Sequence, residues 1–147
     1  MQTHVSEILE QKGRVLIDVR PEDTVHAAVH IMCERRVGAV IVREGELTPV
    51  GIFSERDVMT RVILAGRDPM QTRVSEVMTQ DLVAIGTTTT IADALAAMTE
   101  RRCRHLPVMA KGRVVGMVSI GDLVRHISRV QEYEIRMLTE YVSGSVT

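Results

Sequence analysis

The chain has 147 residues, 18 basic and 19 acidic, with a net charge of −1 and 45% hydrophobic residues. That length makes one compact domain, or two small ones sharing a core, with no need of disulfides. Balanced charge and only three aromatics (Phe53, Tyr133 and Tyr141) argue against a nucleic-acid face, and no apolar run approaches the roughly 20 residues of a membrane span. The N-terminus Met1-Gln2-Thr3-His4 lacks a basic-then-apolar export pattern, and Cys33 and Cys103 form no CxxC, so the expectation is a cytoplasmic protein.

In chain order, Val5–Leu9 reads as a short helix that ends near Gly13, and Val15–Ile17 as a short strand. Arg20–Asp23 is a turn. Thr24 caps a helix that runs to about Arg36, with apolar residues at helical spacing. Gly38–Val42 and Val50–Phe53 are strands joined by a polar loop, and Ser54 caps a helix from Glu55 to Leu64. Residues 65–69 link to a second series: an entry helix Val74–Met78, a strand Leu82–Ile85, and a turn through Thr87–Thr90. A helix from Ile91 to Arg102 follows, with Thr90 and Asp93 as a capping box. Strands at Leu106–Met109 and Val114–Val118 precede a long helical region after Ser119. Each unit is strand-helix-strand-strand-helix.

The two series are one motif written twice. Val25, Ala28, Val29 and Met32 recur as Ile91, Ala94, Leu95 and Met98 at an offset of 66, and Asp57 recurs as Asp122 at 65. Two similar units packed together make two related clefts at their join. The units divide as 1–66 with the N-terminal helix, a linker 67–73, 74–128, and a helical extension 129–147.

Within the motif, Ser54-x-x-Asp57 and Ser119-x-x-Asp122 each follow a Gly-apolar-apolar strand. Locally each is a capping box. A carboxylate fixed at a helix start beside free N–H groups also suits a ribose diol. Two copies in register are stronger evidence than one.

The combined pattern resembles a tandem pair of cystathionine-β-synthase (CBS) domains, a Bateman module. It is carried by Thr24-Val25-x-x-Ala28, Val37-Gly38-Ala39-Val40-Ile41-Val42 and Gly51-Ile52-Phe53-Ser54-Glu55-Arg56-Asp57. The second copy has Thr90-Ile91-x-x-Ala94, Arg104-His105-Leu106-Pro107-Val108 and Gly116-Met117-Val118-Ser119-Ile120-Gly121-Asp122. The resemblance covers about Val5 to Leu123. It implies an α/β fold of two pseudo-twofold-related repeats in one disc. It also implies clefts for adenosine-containing ligands such as AMP, ADP, ATP, NAD(H) or S-adenosylmethionine, with no required cofactor.

By the resemblance, the first cleft uses Ser54, Arg56 and Asp57, completed by Thr79, Val83, Arg104, His105 and Pro107. The second uses Ser119 and Asp122, completed by Lys12, Gly13, Val15, Gly38 and Ala39. Arg56, Arg104 and His105 suit phosphate. In the second cleft Gly121 stands for the Arg and Gly38-Ala39 for Arg-His, leaving Lys12 as the cation. The expectation is a first cleft that prefers phosphorylated adenosine. The second takes a less charged adenosyl group, binds weakly or stays empty.

His26, His30 and Cys33 share one helix face but have no fourth partner, so they read as surface and not as a metal site. No GxSxG, HExxH, P-loop or GxGxxG is present, and the chain is expected to regulate rather than catalyse. The expected partners are a second copy, docked through the helix from Val124 to about Tyr141, and a separate effector protein. The competing reading is an interaction scaffold that binds no nucleotide in the cell.

Overall fold

The computed structural model describes residues 3–13, 16–46 and 49–142. It contains helices α1 (Val5–Lys12), α2 (Val25–Arg35), α3 (Glu55–Asp57), α4 (Val74–Val77), α5 (Ile91–Arg101) and α6 (Ile120–Val142). The strands are β1 (Asp18–Val19), β2 (Ala39–Arg43), β3 (Pro49–Ser54), β4 (Ile85–Gly86), β5 (His105–Ala110) and β6 (Arg113–Ser119). They form two three-stranded sheets, β1-β2-β3 and β4-β5-β6, each with a parallel and an antiparallel pair. The fold is mixed α/β, in two equivalent halves.

Local chemistry accounts for most boundaries. Thr24 and Thr90 accept from the amides of Ala27 and Asp93 and start α2 and α5. Both helices end on an arginine in the left-handed region, Arg36 at φ 56° and Arg102 at φ 53°. Three sequence expectations change. The expected capping box at Thr90 is only half made among the described hydrogen bonds, because Thr90 accepts from Asp93 N without the reciprocal bond. The helix expected over 55–64 is α-helical only through Asp57 and then runs as a π-helical segment, Val58–Ile63.

The first strands of each unit are also shorter and later than expected. β1 falls at Asp18–Val19, where it pairs with Ile41 and Val42, and Val15 lies outside the described residues. β4 is confined to Ile85–Gly86, paired with Val108 and Met109. The preceding β5 position is Pro107, which has no amide to donate to a ladder.

The entry helices cross over between the halves. Val5, Ile8 and Leu9 of α1 pack with Ile91, Met98, Leu106, Val108 and Leu123 in the second core. Val74 and Val77 of α4, with Met78, pack with Val25, Val40, Phe53 and Val62 in the first. Matching backbone bonds hold each exchange. Val5 N donates to Thr89 O at 2.8 Å and Ile91 N to Thr3 O at 2.9 Å; Val74 N donates to Asp23 O at 2.8 Å and Val25 N to Thr72 O at 2.9 Å. This is the pseudo-twofold relation expressed in hydrogen bonds.

Close approach of each entry helix requires a glycine on the facing strand. A Cβ on Gly116 would meet Leu9 Cδ2 at 2.7 Å, and one on Gly51 would meet Met78 Sδ at 2.6 Å and Thr79 O at 2.9 Å. So the Gly of each Gly-apolar-apolar strand leaves room for α1 itself at Gly116 and for the residues that follow α4 at Gly51.

Candidate functional site

β3 delivers Ser54 to the start of α3, and β6 delivers Ser119 to the start of α6. In the first site the box is closed on both sides. Ser54 N donates to Asp57 Oδ2 at 3.0 Å, and Asp57 N donates back to Ser54 Oγ at 3.3 Å. Thr79 adds its hydroxyl to Asp57 Oδ1 at 3.1 Å. Thr79 is held there by a two-way backbone pair with Ile52, at 2.9 and 2.8 Å. Asp57 is buried, at 5% exposure. Arg61, one turn further on, donates to Met78 O at 2.8 Å and stands 3.7 Å from Asp57 Oδ1.

The second site has the same frame and different fittings. Ser119 N donates to Asp122 Oδ2 at 2.9 Å, and Asp122 N donates to Ser119 Oγ at 3.1 Å. Lys12 Nζ donates to Asp122 Oδ2 at 2.8 Å and to Met117 O at 2.9 Å. Arg125 donates to Asp122 Oδ1 at 2.6 Å. Burial pushes the Asp122 carboxyl up, but the Lys12 hydrogen bond, the Ser119 amide and the Lys12 charge hold it below the usual carboxylate range. Gly13 caps α1 in the left-handed region at φ 87°.

Between the two sites runs a seam. Gly38 O accepts from Glu55 N at 3.0 Å, and its counterpart Arg104 O accepts from Ile120 N at 2.8 Å. A Cβ on Gly38 would meet Glu55 Oε1 at 3.0 Å and His105 Nε2 at 3.4 Å, so these side chains converge on the bare backbone there. Burial pushes the His105 imidazole down, against the pull of the Glu55 and Asp122 carboxylates. Lys12 and Arg104 also act on it, pushing the same way as burial. His105 therefore senses charged groups of both sites.

Among the described residues, the structure gathers Ser54, Asp57 and Thr79 at one site and Lys12, Ser119 and Asp122 at the other. His105 and Gly38 meet at the seam. Ala39 is buried in β2 opposite Ser54, Pro107 is buried in β5, and Val83 packs against the second core. Arg56 and Arg104 are exposed. Glu55 lies inside the motif with no role assigned to it there, and Arg61 and Arg125 lie beyond the motif's end. Arg61 and Arg125 lie four and three residues after the carboxylates, spacings that put them on the same helical face. His26, His30 and Cys33 are all exposed, and His30 Nδ1 lies 3.7 Å from Glu34.

The chain matches the CBS domain family twice, over residues 5–64 and 74–129. A mitochondrial CBS domain-containing protein of Arabidopsis thaliana is 35% identical over 150 residues, covering 97% of this chain and 73% of that protein. The crystallised CBS domain NE2398 superposes with a TM-score of 0.82 at 35% identity, covering 86% of this chain and 98% of that one. The CBS domain pair of protein MJ0100, in complex with 5′-methylthioadenosine and S-adenosyl-L-methionine, superposes at 0.77 over 87% of this chain and 98% of that one. At 19% identity that last likeness concerns the fold alone. The repeat, the paired Ser-x-x-Asp turns and both family matches agree that this chain belongs to the CBS domain family, as a tandem pair.

Proposed function

We propose that the chain is a regulatory sensor that binds an adenosine-containing nucleotide through Asp57 and reports it to another protein. The single observation that carries this reading is the Asp57 site. A buried carboxylate is fixed at a helix start, and its oxygens are held by the neutral donors Ser54 and Thr79. Hydroxyl partners are easily shared or exchanged with the two O–H donors of a ribose. Arg56 and Arg104, exposed and cationic, are candidate phosphate contacts. The adenosyl complex of the MJ0100 pair is consistent with this ligand class, on fold alone. AMP, ADP, ATP and NAD(H) share the group that Asp57 would read.

The sensor acts as a homodimer in this proposal. From Ser128 onward every described residue of α6 is exposed. Leu123, Ile127, Val130, Met137 and Tyr141 recur at alternating four- and three-residue steps once Glu134 fills the gap. Arg129, Glu132 and Arg136 fall away from that stripe, so a second copy laid along it meets mainly its apolar positions. Ligand output then requires the two dimer arrangements to bind nucleotide with different affinity.

The test is a thermal-shift panel with AMP, ADP, ATP, NAD(H), S-adenosylmethionine and GTP. A ligand that binds only the folded state raises the melting temperature with its concentration. A rise with an adenosyl compound and none with GTP is expected. A flat panel at millimolar ligand would replace the sensor by an interaction scaffold.

A further inference from the structure

The two pseudo-equivalent carboxylates are held by opposite kinds of partner. Asp57 takes amide and hydroxyl donors, with the Arg61 guanidinium at 3.7 Å. Asp122 takes an ammonium on Oδ2 at 2.8 Å and a guanidinium on Oδ1 at 2.6 Å. The cause is the length of the entry helix. α4 stops at Val77, so Thr79 pairs as extended chain with Ile52 and offers its hydroxyl. α1 continues to Lys12, and that last residue reaches across to the start of α6.

This inference rests on the adenosyl reading above. The geometry points to Lys12 as the specificity-determining residue of the second cleft, where it competes with the ribose for Asp122 and favours ligands that carry an anion. A diol that is to donate two hydrogen bonds to Asp122 must displace Lys12 or Arg125 from an oxygen. Adenosine offers the displaced ammonium no anion in return. A 5′-phosphate offers it a new partner, so AMP recovers part of what adenosine loses. Release of Lys12 also breaks its bond to Met117 O and detaches the end of α1 from β6, which links occupancy of this cleft to the exchanged helix.

The experiment isolates the second cleft with Asp57→Ala and measures AMP and adenosine by isothermal titration calorimetry, with and without Lys12→Met. Removal of Lys12 is expected to tighten adenosine about fivefold, the worth of a half-exposed ion pair, and to shrink the preference for AMP. Adenosine affinity that stays level or falls overturns the proposal: a lysine that only contacts phosphate weakens AMP alone, and a merely structural lysine moves neither ligand. If the Asp57→Ala protein binds neither ligand, Lys12→Met must create adenosine binding there, or the proposal is overturned. Failure of the adenosyl reading itself is seen separately, as wild-type protein that binds no AMP. Melting curves check that each variant is folded. Hydrogen exchange on the Asp57→Ala protein is expected to show faster exchange at the α1 amides up to Lys12 when AMP is added, and unchanged exchange counts against the release of Lys12.

Discussion

Thr79 and Gly51 are in contact so close that a Cβ on the glycine would lie 2.9 Å from the Thr79 carbonyl oxygen. The same carbonyl accepts from Ile52 N, so it cannot retreat without breaking the pair that aims Thr79 at Asp57. At Gly116 the obstacle is only the tip of Leu9. Gly51→Ala is therefore expected to cost about 2–3 kcal/mol and Gly116→Ala about 1 kcal/mol, within the range for overpacked sites. Urea unfolding of the two variants measures the difference; equal losses would mean that the Thr79 backbone yields freely.

Removing the carboxylate should weaken recognition at the first site. Asp57→Ala is expected to weaken AMP by roughly 10- to 100-fold, the value of hydrogen bonds to a charged acceptor. Because Asp57 also caps α3, Asp57→Asn serves as the gentler variant. Affinity unchanged in both by calorimetry would remove Asp57 from the site.

Stability should fall in mild acid through His105. Burial holds its folded pKa below the ordinary 6.5, so the unfolded chain binds the proton more readily. The contribution is then fully present above about pH 6.5 and is lost as pH falls through the lowered folded value. Asp122, also lowered, adds its own loss only below its ordinary 3.8. Melting temperatures from pH 7.5 to 5 should decline in wild type and flatten in His105→Gln. Parallel curves would assign the decline to other groups.

The exposed half of α6 should govern assembly. Deletion of residues 130–147 leaves Leu123 and Ile127 in place against the second core and removes the unpartnered stripe. Light scattering is expected to report a monomer with an intact melting transition, and a surviving dimer would locate the interface elsewhere.

Much of the architecture was legible because it rests on local rules written twice. Thr24 and Thr90 cap their helices, Ser54 and Ser119 bond to the amides three residues on, and the apolar positions repeat in register, all readable from spacing alone. β4 starts later than the apolar run Leu82–Ile85 because its extent depends on what stands across the sheet, and Pro107 is more than twenty residues away in sequence. The π-helical stretch after Asp57 left no mark in the apolar pattern.

The sequence by itself determined the repeat, the family and the two carboxylates, because capping and periodicity act over three or four residues. Only the tertiary structure decided which carboxylate is met by hydroxyls and which by cations. Lys12 and Asp122 are 110 positions apart, and α1 reaches the second core only because the entry helices exchange. That exchange is a matter of packing between halves, since glycines on the facing strands leave room for Leu9 of α1 and for Met78 just after α4.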